Sequence, residues 1–180
     1  MSKTNVAKRY AEALFQIGQE KETIDFLETE LMTVKEVYQT NEDFLSFLQH
    51  PKVEADKKKQ LLNEVFTGFS KDVLHTLSLL VDRHNESIVP DMVDHFITFA
   101  NVAKGIKEAT VYSVRALSDA ESQEIEKIIT TKFNAKQVKI NNEIDPTVLG
   151  GVRIKVGNTV YDGTIKGKLD RFERQIRRAN

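Results

Sequence analysis

The chain has 180 residues, a formal charge of −1, 29% charged residues, and neither cysteine nor tryptophan. This excludes disulfide frameworks, thiolate nucleophiles, cysteine zinc sites and iron–sulfur clusters, and the near-neutral total argues against a whole-protein footprint on nucleic acid. No apolar run approaches the ~20 residues of a membrane-spanning helix, and the opening MSKTNVAKRYAEALF lacks a signal peptide's apolar core and carries Glu12, so a soluble, intracellular, globular protein is expected.

Charge is unevenly spread. Residues 1–105 carry 12 basic and 17 acidic side chains, whereas residues 106–180 carry 14 and 10. Eight of the ten Phe fall in the first part. Two modules are therefore expected, 1–105 and 106–180.

The first module reads as consecutive helices. Residues 2–19 are mostly good helix formers. After a break near Glu20–Thr23, Ile24, Leu27, Leu31, Val34 and Val37 recur every three or four residues. Asn41 can cap a short helix that His50-Pro51 stops, because a residue before proline avoids the helical region. A fourth helix spans 54–66, with Leu61, Leu62, Val65 and Phe66 apolar and Gly68 as its C-terminal cap. Ser70 caps a fifth over 71–84, with Asp72 in the first turn where the helix dipole favours an anion. Ser87 caps the last, which tolerates Pro90 near its start and ends at Gly105. Six helices on short turns predict an antiparallel bundle.

Beyond Gly105 the period changes. Ala109–Leu117 is rich in β-branched and aromatic residues. Ser118-Asp119-Ala120-Glu121 is a capping box opening a helix to about Phe133. Gln137–Asn141 reads as a short strand, and VRIKV-GN-TVY as a hairpin with Gly157-Asn158 as its loop. A final helix carries Ile165, Leu169, Phe172 and Ile176 on one stripe. The second module is thus a small α+β unit of about four strands and two helices, and the chain is α+β overall.

Chemistry is not written into this sequence. His50, His75, His84 and His95 lack metal-site spacing, so no metal is expected. Glu12, Asp72 and Asp82 lie on predicted helices and could in principle pair, but acid–base catalysis needs a cleft and perturbed pKa values, which a sequence does not display. The string Gly163-Thr164-Ile165-Lys166-Gly167-Lys168-Leu169 has too few residues between its glycines, and no hydroxyl after the lysine, for a phosphate loop. Gly167 reads instead as a close-packing point of the last helix. No catalytic residue and no cofactor is expected.

Two helices carry more apolar surface than a bundle needs. Val6, Ala7, Tyr10, Ala11, Ala13, Leu14, Phe15, Ile17 and Gly18 fill an arc of about 200°, against the ~100° stripe typical of a bundle helix. The excess is covered either by neighbours within the bundle or by a partner helix near Tyr10, Ala13 and Ile17. On the fifth helix Leu79 points away from Val73, Leu74, Leu77, Leu80 and Val81, beside Asp72, Thr76 and Arg83. Two such helices can form a groove for an amphipathic helix. The basic end of the last helix, with Lys166, Lys168, Arg171, Arg174, Arg177 and Arg178, reads as a solvated face or as a landing site for an acidic partner or RNA.

The stretch Ala7-Lys8-Arg9-Tyr10-Ala11-Glu12-Ala13-Leu14-Phe15 resembles the opening helix of the delta subunit of bacterial F-type ATP synthase, the counterpart of the mitochondrial oligomycin-sensitivity-conferring protein. His50-Pro51-Lys52-Val53 sits where that family has a short proline-containing turn. The run from Asp145 through Gly150-Gly151-Val152-Arg153-Ile154 to Val160-Tyr161-Asp162-Gly163-Thr164-Ile165, then Leu169, is similar to the family's C-terminal signature. The resemblance covers about residues 3–178. It implies a non-catalytic stator subunit that keeps the alpha/beta head from turning with the rotor, so that proton translocation is coupled to ATP synthesis. It further implies a six-helix domain whose first and fifth helices, at Tyr10, Ala13, Leu14, Ile17, Leu74, Ser78 and Leu79, take the N-terminal segment of an alpha subunit. The C-terminal domain, bearing Gly150, Gly151, Arg153, Asp162, Gly163, Ile165 and Leu169, would meet the C-terminal end of the b-subunit stalk. Such a protein lies peripherally at the cytoplasmic face of the bacterial plasma membrane, associates with the membrane only through its complex, and binds no nucleic acid. The alternative, a helical-bundle RNA-binding regulator using the basic C-terminal helix, is opposed by the acidic first module.

Overall fold

The computed structural model describes residues 3–169. The fold is mixed α+β, and the chain divides between Ala100 and Asn101 into two compact units. Their boundary falls inside a helix, a few residues before the composition change at Gly105.

The N-terminal unit contains α1 (Lys3–Glu20), α2 (Ile24–Thr40), α3 (Glu42–Gln49), α4 (Ala55–Val65), α5 (Lys71–Asp82) and most of α6 (Val89–Lys104). Local chemistry starts several of these helices. The Asn41 side chain accepts from the Phe44 N–H at 3.0 Å, and the Ser70 hydroxyl accepts from the Val73 N–H at 3.4 Å. Ser87 does not cap α6. It lies in a 3-10 turn, Glu86–Ile88, that runs directly into Val89, and Pro90 takes a first-turn position whose N–H needs no partner. The fourth helix ends at Val65 with Phe66 as its cap residue, two residues before Gly68.

One apolar core joins these helices. Ala7, Ala11 and Leu14 of α1 meet Leu27, Leu31 and Val34 of α2, Leu77 and Leu80 of α5, and Met92 and Phe96 of α6. Gly18 lets α1 close on the next turn, since a β-carbon there would come within 2.8 Å of Leu27 Cδ1. Phe44 stands edge-on to Tyr38 and Phe66, a geometry favoured by the ring quadrupoles. Burial pushes the Tyr38 phenol well above its ordinary range, with the Glu86 charge adding to the shift.

The C-terminal unit holds β1 (Ile106–Ser113), α7 (Asp119–Phe133), β2 (Gln137–Ile144), β3 (Val152–Val156) and β4 (Thr159–Asp162), in the sheet order β2-β1-β3-β4. The β1–β2 pair, joined through α7, is parallel, and the other two pairs are antiparallel. The first strand starts three residues earlier than β-branched content suggests and stops at Ser113. Pairing with β2 carries Ile106, Lys107 and Glu108 into the ladder. Ala109 and Val111 pack with Ile125 and Ile129 of α7. Alternation sends Thr110 and Tyr112 to the other face, where the Arg153 guanidinium lies 4.6 Å over the Tyr112 ring. The Ser118–Glu121 capping box forms as expected, and Asn134 ends α7 in the left-handed region at φ 48°.

Candidate partner-binding site

The relation of α1 to α5 follows from two ion and hydrogen-bond contacts. Lys21, just past the end of α1, donates to both carboxylate oxygens of Asp72 in the first turn of α5, at 2.8 and 2.7 Å. Lys3, at the start of α1, donates to Ser87 Oγ beyond the end of α5, at 3.4 Å. The two helices are therefore packed antiparallel. Interpolating between the Lys21–Asp72 and Lys3–Ser87 contacts, Ala13 comes roughly level with Ser78 and Leu79.

The side chains along this seam differ in exposure. Tyr10, Ile17, Leu74 and Ser78 are half-buried, and Ala13 and Leu79 are exposed. Leu14, expected in the groove, is 1% exposed and belongs to the core with Ala7, Ala11 and Gly18. The 200° arc is thus divided: 7, 11, 14 and 18 face inward, and the stripe Tyr10, Ala13 and Ile17 forms an edge. On α5, Thr76 is buried, and its hydroxyl donates to the Asp72 carbonyl at 2.8 Å. Ser78 likewise donates to the Leu74 carbonyl at 2.8 Å. A hydroxyl satisfied inside its own helix asks nothing polar of a neighbour. The seam therefore carries Tyr10, Ala13 and Ile17 on its α1 side and Leu74, Ser78 and Leu79 on its α5 side, half-buried or exposed.

In the C-terminal unit the residues of the Asp145–Leu169 run are brought together. Gly163 N–H donates to the Val152 carbonyl and Ile165 N–H to the Gly150 carbonyl, both at 3.1 Å. The Asp162 carboxylate accepts from the backbone and hydroxyl of Thr164, at 2.9 and 2.7 Å, and Thr164 Oγ1 accepts from Gly167 N–H at 2.9 Å. This arrangement starts the helix at 165–169. A β-carbon on Gly167 would stand 2.6 Å from the Asp162 carboxylate, so the residue is a close-packing point. Arg153 donates to Asp145 at 3.1 Å. Hydrogen bonds from Thr147, aided by the Arg153 and Lys166 charges, hold the Asp145 carboxyl below its usual range. Ile165 and Leu169 are 52% and 60% exposed. The buried Thr164 and the glycine contacts, rather than an apolar stripe, fix the start of this helix. Phe172, Ile176, Arg171, Arg174, Arg177 and Arg178 lie outside the described residues.

An open groove of about 560 Å³ lies between the β1–α7 connection and the loop before β3, with Val114, Leu117, Leu149 and Val152 among its lining. Val114 and Leu149 are exposed, and Leu149 adopts φ 57°. Among the described residues no group of three or more His, Asp or Glu side chains could hold a metal ion, and no helix is long and apolar enough to cross a membrane. Residue pairings such as Lys21–Asp72 and Lys3–Ser87 have no local sequence signal; only the tertiary contact reveals them.

The family model described as ATP synthase delta (OSCP) subunit matches residues 6–176. A protein of Oceanobacillus iheyensis named ATP synthase subunit delta is 45% identical over 180 residues, covering 100% of this chain and 99% of that one. Its namesake in Bacillus subtilis is 43% identical over 176 residues, covering 98% and 97%. A chain in the cryo-EM structure of the Toxoplasma gondii mitochondrial ATP synthase hexamer superposes with a TM-score of 0.72 at 18% identity, covering 94% of this chain and 96% of that one.

Proposed function

The chain belongs to the ATP synthase delta (OSCP) family, whose members are non-catalytic subunits of the peripheral stalk, and from that premise we propose how its two units divide the work. The N-terminal unit acts as a six-helix bundle that holds the catalytic head by taking the amphipathic N-terminal segment of an alpha subunit between α1 and α5. The C-terminal unit meets the C-terminal end of the b-subunit stalk. The link resists torque at the cytoplasmic face of the bacterial plasma membrane and reaches the membrane only through the complex.

The observation that carries this reading is the α1–α5 seam. Ala13 and Leu79 stand exposed along it, beside half-buried Ile17 and Ser78 and the outer parts of Tyr10 and Leu74, which pack against the core, and the small Ala13 and Ser78 let another helix approach closely. Burial there contributes about 25 cal/mol per Å² before ordering costs. A link under torque calls for affinity near nanomolar, about −12 kcal/mol. For the C-terminal unit, support comes from the apolar side chains Val114, Ile144, Leu149 and Val160, all exposed. The RNA-regulator reading gains no support from the relatives.

Calorimetric titration of the full chain with a peptide of the alpha subunit's N-terminal residues tests the first half. Tight binding by wild type is expected, with loss of binding and an unchanged melting curve for Ala13→Asp. A wild-type chain that does not bind the peptide contradicts it.

A further inference from the structure

We propose that Glu30 is a positioning residue for the α1–α5 groove, an inference that rests on the groove reading above. Glu30 lies on α2 and is 6% exposed. Its two carboxylate oxygens are both spent on one residue of α5's start: Oε1 accepts from Ser70 N–H at 2.7 Å and Oε2 from Ser70 Oγ at 2.6 Å. Ser70 is the N-cap of α5, and its hydroxyl oxygen, while donating to Glu30, accepts from the Val73 N–H.

A buried carboxylate is costly to desolvate. An apolar side chain beside Leu27, Leu31 and Val34 would serve core packing as well. What the carboxylate adds is direction. Two charge-assisted hydrogen bonds to one residue fix both the axial position and the rotation of a helix start, and the helix dipole favours the anion there. Lys21 grips Asp72 two residues further on, from the α1 side. The first turn of α5 is thus held from α2 and from α1 at once. Because the i→i−4 hydrogen bonds hold a helix as one rigid element, a small rotation at Ser70 is carried to Leu74, Ser78 and Leu79. Glu30 therefore sets the width and lining of a groove it does not touch.

The test titrates full-length chains with the alpha-subunit N-terminal peptide, at a temperature where circular dichroism shows each one folded. Glu30→Ala should weaken binding about tenfold or more. Glu30→Gln, which keeps one acceptor oxygen, should recover part of that loss and serves alone if Glu30→Ala does not fold. Phe44→Leu, which loosens packing among Tyr38, Phe44 and Phe66 away from the groove, should lower the melting temperature and leave affinity unchanged. If both Glu30 variants bind like wild type, or if Phe44→Leu loses as much affinity as Glu30→Ala, the positioning role is overturned while the groove stands. If wild type itself does not bind, the groove reading fails and this inference falls with it.

Discussion

Gly151 has φ +76°, and a β-carbon there would stand 2.7 Å from the Gly163 carbonyl oxygen. Both backbone strain and a backbone clash oppose any side chain, so Gly151→Ala should destabilise the C-terminal unit by about 3 kcal/mol or more, read as a lower calorimetric melting temperature. Gly68, with φ +90° but nothing within 4 Å, has only the strain to lose. Glu121 gives a pH prediction. Hydrogen bonds from Arg115 and Ser118 lower its carboxyl from the ordinary 4.5 to about 2. A carboxyl with a depressed folded-state pKa contributes stability above its unfolded value, and the contribution fades as pH falls towards the folded one. Melting temperatures should therefore show an added decline between about pH 4.5 and 2 in wild type that Glu121→Gln lacks. Residues that act within their own turn, such as Asn41, Ser70 and the Ser118–Glu121 pair, were legible in the sequence because capping is local. Leu14 and Ala13 were not separable: an apolar arc does not say which neighbours divide it. Glu30 went unread because its partner is 40 residues away.

At the scale of elements, α4 shows how pattern and packing part company. Its apolar Val65 is exposed, whereas Lys58 is buried. The reason is a tertiary partner, since Lys58 Nζ lies 3.0 Å from Glu86 Oε1 in the 3-10 turn before α6. Both side chains are almost fully buried, so removing one partner strands the other charge. Lys58→Met should cost about 3–5 kcal/mol, and adding Glu86→Leu should recover much of it, as a denaturant double-mutant cycle would measure. Helix periodicity made α1 to α6 visible, and the alternating VRIKV run with its Gly157-Asn158 loop made the β3–β4 hairpin visible. Less visible were the ends of β1 and β2, which pairing rather than propensity extends to Ile106 and Ile144, and the 3-10 turn at Glu86–Ile88, which the apparent Ser87 cap concealed.

Over the whole molecule, the near-zero total charge conceals an acidic, Phe-rich helical unit and a basic α+β unit. That division agrees with a subunit that joins two different partners and performs no chemistry. Family membership was legible because the signature run carries a backbone design: Gly150, Gly151, Gly163 and Gly167 pack against one another's surroundings, and Asp162 opens the helix at 165–169. Partner contacts are less legible, since they depend on which apolar edges the fold leaves open. Whether the α1–α5 seam transmits the stator's hold on the head is read out by proton-driven ATP synthesis in vesicles carrying the complex rebuilt with full-length wild type or Ala13→Asp. Wild type should restore synthesis, whereas Ala13→Asp should leave ATP hydrolysis by the head intact and abolish synthesis. Synthesis at the wild-type rate with Ala13→Asp would contradict it.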